Sequence, residues 1–188
     1  ELSNVQYSVF NIEKKDFRRT PPAPFTTSTL QQIATNKLGW SAKKTMQTAQ
    51  RLYEMGFITY HRTDSTNISA EATDAVKEMI SRIYGKEYAL DKPRIYKTKS
   101  KVAQEAHEAI RPTNVYHEPS TMNNELNREE SRLYELIWKR FVACQMAEVL
   151  GETTKVKVKA RDYILVASGE VIKFDGWLIA SLGLTSRS

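Results

Sequence analysis

The sequence predicts an α+β fold, with a helical domain inserted into a discontinuous β-rich domain built from both chain ends. Two observations carry this. Apolar and polar residues alternate with period two near each end, whereas the middle repeats its apolar residues at helical spacing behind capping residues. Residues 1–20 with 147–188 form the expected β-rich domain, and 21–146 the helical one. Thr20-Pro21-Pro22 and the stretch from Ala147 to Gly151 are the expected connectors.

At the start, Val5, Tyr7 and Val9 alternate with Gln6 and Ser8, as in a half-buried strand. Ser28 and Gln31 have capping-box spacing before Leu30, Ile33, Ala34 and Leu38. Ser41 is placed to cap a second helix carrying Ala42, Thr45, Met46, Ala49, Leu52 and Tyr53 at inward spacing, stopped at Gly56. A third helix opens at Ser69, carries Val76, Met79 and Ile80, and ends at Gly85. Lys86 to Lys101 reads as a long polar loop. Asn127 and Glu130 open a fourth helix with Leu133, Ile137, Phe141 and Cys144 inward. Beyond it, Lys155, Lys157 and Lys159 alternate with Val156, Val158 and Ala160. Two further strand-like runs follow, Tyr163 to Ala167 and Val171 to Phe174.

Composition narrows the function. Lys and Arg number 28 against 22 Asp and Glu, a net charge of +6 that favours a polyanionic partner. The single cysteine, Cys144, excludes an intrachain disulfide and points to a reducing, cytoplasmic compartment. No apolar run approaches the roughly 20 residues that span a membrane, and no secretion signal opens the chain. The chain starts without Met, which fits a piece of a longer protein.

The densest polar cluster runs from Phe57 to Asn67 between two helices. A strand and a turn account for Phe57, Ile58, Asp64 and Ser65, but give no reason for Tyr60 and Arg62 together. Covalent attack on a phosphodiester does. A phenol has a pKa near 10 and needs a positive environment or a base to act as a nucleophile. Arg62 offers a planar fork for two phosphate oxygens, which Lys lacks. In an extended segment, positions 60 and 62 point to the same side.

A second cluster spans Gln104 to Thr113. It lacks the second histidine of a metalloprotease helix, since Arg111 stands there. With three histidines in all and no cysteine cluster, no metal ligands are expected. Packing alone explains Ala106, Ala109 and Ile110. On a helix, His107 and Arg111 project together as further phosphate donors.

Gly56-Phe57-Ile58-Thr59-Tyr60-His61-Arg62-Thr63-Asp64-Ser65 resembles the active-site signature of type IA DNA topoisomerases. Glu105-Ala106-His107-Glu108-Ala109-Ile110-Arg111-Pro112 resembles that family's second signature. The run from Pro21 to Leu30, Gln50-Arg51-Leu52-Tyr53-Glu54, Phe141 to Met146 and Phe174-Asp175-Gly176-Trp177 are similar to the bacterial branch. The resemblance covers essentially the whole chain.

It implies that Tyr60 forms a 5′-phosphotyrosyl bond to one DNA strand, that Arg62 stabilises the scissile phosphate, and that His107 contacts a neighbouring one. Arg111 and Asp64 are implied as supporting DNA contacts. It also implies a helix-turn-helix-like pair in the helical domain, a β-rich arch from the chain ends, and relaxation of negative supercoils without ATP. Single-stranded or underwound DNA is the implied partner, and the nucleoid the implied location. In the family, Mg²⁺ and the general acid for the leaving 3′ oxygen belong to a separate acidic domain. No matching cluster of spaced Asp and Glu occurs here, so the chain is expected to need the remaining domains of its polypeptide and to be inactive alone.

Four rivals use some of the same residues. A non-catalytic helix-turn-helix module explains the charge but not Tyr60 and Arg62. In tyrosine recombinases the tyrosine follows the His and Arg motif, whereas Tyr60 precedes it. Reverse gyrase shares both signatures; topoisomerase III fits less well around Glu108 and Arg111.

Overall fold

The computed structural model describes residues 6–96, 108–122 and 125–182. By its contacts the chain divides into two compact units, Glu1–Thr20 with Glu148–Gly176, and Pro21–Ala147 with Trp177–Ser188.

The first unit is an antiparallel sheet of three strands: β1 (Tyr7–Arg19), β2 (Val149–Ala160) and β3 (Tyr163–Phe174), with β2 in the centre. Alternation places Val9, Ile12, Val156, Val158 and Leu165 on one face and Lys155, Lys157 and Lys159 on the other. A bulge at Phe10 shifts the register between Val9 and Asn11. Val9, Phe10, Ile12, Tyr163, Ile164 and Val166 are exposed. β1 runs well past the short alternation read from Val5 to Val9, because Asp16, Lys14 and Arg19 find partners across the sheet in Lys173, Glu152 and Glu170. The two separate runs expected after Asp162 are one continuous strand.

The second unit is helical. Its elements are α1 (Thr27–Leu38), α2 (Ala42–Glu54), α3 (Ala70–Ile83), α4 (Arg128–Cys144) and the short α5 (Leu178–Leu182). Ser41 and Ser69 cap α2 and α3 as their spacing predicts, accepting from the N–H groups of Lys44 and Ala72. At α1 the capping box lies two residues earlier than read, with Thr26 and Thr29 in place of Ser28 and Gln31. Threonine hydroxyls serve the same purpose as the expected pair, and a Thr-rich run offers several frames. Gly39 ends α1 in the left-handed conformation at φ 70°, its N–H returning to the carbonyls of Ala34 and Thr35.

α4 is the centre of the core. Leu133, Tyr134, Ile137, Trp138, Phe141 and Val142 are buried on it, against Leu52 of α2, Val76 and Ile80 of α3, and Phe25, Ile58 and Ile110 between helices. Its buried aromatic heads are satisfied. The Tyr134 hydroxyl donates to the His117 carbonyl at 2.8 Å and the Trp138 indole N–H to Val115 at 2.8 Å. Arg51 of α2 meets the buried Glu130 carboxylate at 2.9 Å.

Two expectations are corrected. Trp177 and α5 belong with the helices, not with the β unit that residues 147–188 were assigned to. The Trp177 N–H donates to the Ala147 carbonyl at 3.0 Å, and Ile179 and Ala180 are buried. The polar stretch from Lys86 opens with a 3₁₀ turn, Lys86–Tyr88, and is pinned where Ala89 pairs with Met146. Its end, residues 97–101, lies outside the described residues.

Asn127 carries the capping box of α4, its side-chain oxygen accepting from the N–H groups of Glu129 and Glu130. Asn127→Ala is expected to lower stability by about 1 kcal/mol. A urea midpoint unchanged in that variant would show that α4 is held by its core contacts alone.

Candidate active site

The segment carrying Tyr60 is laid down by what precedes it. α2 stops at Glu54, and Gly56 turns the chain at φ 81°, a conformation that a β-carbon resists. The Phe57 N–H returns to the Leu52 carbonyl at 2.9 Å. From there the backbone is extended and is tied on both sides to distant segments.

On one side lies the stretch from Glu108 to Thr113. Ile58 pairs with Pro112, the Thr59 N–H donates to the Arg111 carbonyl at 2.9 Å, and the Thr113 N–H donates to Phe57 at 3.0 Å. The Thr59 hydroxyl donates to the Ala109 carbonyl at 2.7 Å and accepts from the Arg111 N–H at 2.9 Å. On the other side lies the first turn of α1. The Thr27 hydroxyl donates to the His61 carbonyl at 2.9 Å and accepts from the Thr63 N–H at 2.9 Å. The Thr27 N–H donates to the Thr63 carbonyl at 2.9 Å. Thr63 and Ser65 then hold the turn from within, their hydroxyls accepting from the N–H groups of Ser65 and Asn67.

The result is a strict alternation. His61, Thr63 and Ser65 are buried, while Tyr60, Arg62 and Asp64 are exposed. Tyr60 is 43% exposed, and among the described residues nothing hydrogen-bonds its hydroxyl. Its ring is held edge-on by two others, Tyr53 of α2 at 5.3 Å and His61 at 5.2 Å. Among the described residues Arg62 and Asp64 have no ionic or hydrogen-bond partner, which leaves the guanidinium fork open.

His61 is buried with neither ring nitrogen hydrogen-bonded. Burial pushes its pKa below the ordinary 6.5, Arg62 lowers it further, and Glu54 opposes both.

The second cluster differs from its sequence reading. Residues 108–113 form extended backbone, not the helix expected there. His107 lies outside the described residues. Arg111 is only 12% exposed and committed: Nη2 stands 2.6 Å from Glu108 Oε2, and Nη1 donates to the Pro112 carbonyl at 2.9 Å. Glu108 also accepts from the Ser69 N–H at 2.6 Å, at the start of α3. Burial raises the Glu108 pKa, but the hydrogen bonds from Arg111 and Ser69 outweigh it and hold the carboxyl below its ordinary range. Arg111 is thus a brace between the second segment and α3.

Sequence reasoning missed Thr27, Tyr53 and His61 as parts of the site. Helical spacing read Tyr53 as an inward residue, yet its ring is exposed against Tyr60. Among the described residues no three His, Cys, Asp or Glu side chains gather to hold a metal ion. No helix among them is long and apolar enough to cross a membrane.

Comparison with known proteins gives a consistent set of relatives. A family model described as DNA topoisomerase matches residues 1–185. DNA topoisomerase 1 of Vibrio cholerae is 49% identical over 176 residues, 94% of this chain and 20% of that protein. DNA topoisomerase 1 of Rickettsia bellii is 46% identical over 187 residues, 94% of this chain and 23% of that protein. The crystal structure of full-length topoisomerase I from Thermotoga maritima superposes with a TM-score of 0.81 at 38% identity, covering 99% of this chain and 31% of that one. The chain spans about a fifth to a quarter of the length of these curated relatives.

Thr27→Val keeps the shape of the side chain but removes the hydroxyl from between His61 and Thr63. The unpaired Thr63 N–H is expected to cost about 1–3 kcal/mol. It is also expected to exchange its hydrogen faster. An unchanged Thr63 exchange rate would mean that the loop is held elsewhere.

Proposed function

This chain belongs to the DNA topoisomerase family, and we propose that it carries the nucleophile of a type IA enzyme, with Tyr60 attacking a DNA phosphate. The observation that carries this reading is the alternation along the loop, which turns Tyr60, Arg62 and Asp64 outward together. An exposed phenol and a guanidinium on one side of the loop, both without a hydrogen-bond partner among the described residues, are what a phosphate-directed nucleophile needs.

In the proposed reaction the Tyr60 oxygen bonds to phosphorus as the bond from phosphorus to the 3′ oxygen breaks. The phenolic proton passes to water, and the departing 3′ oxygen takes up a proton from the general acid that the family resemblance places in a separate domain, leaving as a hydroxyl. Arg62 spreads its two N–H donors over the non-bridging oxygens, where charge builds in the transition state. Attack by the 3′ hydroxyl on the phosphotyrosine reverses the step and frees Tyr60. The bond energy is stored throughout, so the cycle needs no ATP. Asp64 lies on the same exposed side as a supporting residue. His107 keeps the role that the family resemblance gives it, contact with a neighbouring phosphate. Arg111, braced by Glu108, acts by fixing the segment that Thr59 grips.

The whole polypeptide would relax underwound DNA by opening one strand and passing another through it. In it, α1 and α2 would serve as the helix-turn-helix-like pair and the three-stranded sheet as part of an arch. Magnesium, when bound in the full enzyme, would supply electrostatic help at the phosphate. The ion is proposed to be held by the separate acidic domain that the family resemblance implies. By itself the chain is proposed to bind DNA weakly, in a manner that fades with salt, and to relax none. The nucleoid is the proposed place of action.

Two substitutions in the full-length polypeptide test the assignment. Tyr60→Phe is expected to leave thermal stability within about 1 kcal/mol and to abolish the covalent adduct with single-stranded DNA. An adduct that survived would assign the chemistry to another residue. A non-catalytic binding module would form no adduct in either protein. Arg62→Lys keeps the charge and loses the fork, so cleavage is expected to fall much more than DNA affinity. Equal losses in gel-shift and cleavage assays would reduce Arg62 to an electrostatic anchor.

A further inference from the structure

The one pair of buried side-chain nitrogens left without a partner among the described residues belongs to His61, directly beside the proposed nucleophile. Only 4% of the residue is exposed. Three rings meet here in a closed triangle: His61 to Tyr60 at 5.2 Å, His61 to Tyr53 at 5.6 Å, and Tyr53 to Tyr60 at 5.3 Å. Since no hydrogen bond from the described residues fixes the Tyr60 hydroxyl, the direction of the phenol is set by this ring packing. Two unpaired ring nitrogens cost stability that an apolar side chain of similar size would not. Packing alone does not explain a histidine here.

We propose that His61 is a positioning residue for Tyr60 that works only as the neutral imidazole, so that protonation dislodges the nucleophile. The inference rests on the reading of Tyr60 as nucleophile. A second ring N–H would be created in a place with no acceptor, and a buried, unpaired imidazolium is far costlier than a neutral ring. The backbone cannot yield, because Thr27 holds the carbonyl of His61 and both main-chain groups of Thr63. The ring itself must move, and with it the wall against which Tyr60 stands.

The surrounding charges agree. α2 presents Glu54 and Tyr53, the loop presents Tyr60 and Arg62, and the first turn of α1 brings the Thr27 hydroxyl but no titratable group. Glu54 is engaged by Gln50 at 2.8 Å and makes no hydrogen bond to the imidazole. Burial and Arg62 together disfavour the cation and outweigh Glu54. The lowered pKa sets the sign. The unfolded chain takes up a proton near 6.5 that the folded site refuses, so the intact arrangement is fully present above that pH and is eroded below it.

The experiment follows covalent adduct formation on a single-stranded oligonucleotide between about pH 5 and pH 8, across the range where imidazoles titrate. It uses the full-length polypeptide and its His61→Phe and His61→Gln variants. Each protein's yield at the acid end is divided by its own yield at the neutral end. Neither variant can take up the proton, so both ratios are expected to exceed that of the parent by about three-fold or more. The phenylalanine keeps the ring wall, and the glutamine decides if circular dichroism shows the phenylalanine variant misfolded. A parent with no acid loss, or an acid loss shared by either folded variant, overturns the inference. Should both variants misfold, the parent's imidazole titration by NMR decides: protonation of His61 outside the range of the acid loss overturns it, and coincidence supports it. An adduct that fails to depend on Tyr60 overturns the underlying reading instead.

Discussion

Main-chain hydrogen bonds link three segments that the sequence keeps far apart, and the candidate site exists only while they hold. The segment from Phe57 to Asn67 makes no helix or strand of its own. It lies between the first turn of α1 and the stretch from Glu108 to Thr113, bonded to each by backbone groups and by the hydroxyls of Thr27 and Thr59. An extended segment has no internal partners for its N–H and C=O groups, and burying half of it obliges other parts of the chain to supply them. The small hydroxylated residues at 27, 59, 63 and 65 do this without taking up space. They fix which side chains face inward and therefore which face out.

The same economy governs the cations. Arg51 is tied to Glu130 and Arg111 to Glu108, and the helices and the second segment gain fixed positions from them. Arg62 is left open. Both Arg62 and Arg111 sit in polar clusters, but burial separates their roles: a buried guanidinium must be paired, whereas an exposed one has water until a phosphate arrives.

Much of this was legible in the sequence, for reasons that are local. Ser41, Ser69 and Asn127 announce helix starts because a cap needs only the next few residues. The α+β division follows from periodicity alone. Tyr60 and Arg62 stood out through spacing and through resemblance to a family. Other features depend on partners far along the chain and leave no local mark. Thr27 looks like one of several threonines until the loop is folded onto it. Ala106, Ala109 and Ile110 are spaced as on a helix, yet the backbone groups of residues 108–113 are claimed by Phe57, Thr59 and Phe25. Tyr53 sits at a helix position that reads as inward, yet its ring is exposed and meets Tyr60 edge-on. Trp177 follows a strand in sequence but donates to Ala147, and no strand periodicity foretells that.

The strand order of the sheet bears on how the chain is made. β1 pairs only with β2, and residues 21–147 of the helical unit are encoded between them. During synthesis at about 5–20 residues per second, β1 therefore waits on the order of ten seconds for its partner. Through that interval Val9, Phe10 and Ile12 are unpaired apolar positions on a nascent strand, open to pairing with other chains. The run Glu13-Lys14-Lys15-Asp16 directly after them acts as a gatekeeper, since charges flanking an apolar strand discourage intermolecular pairing. Those charges are thus under a demand set by the ribosome's pace as well as by the ion pairs of the finished sheet.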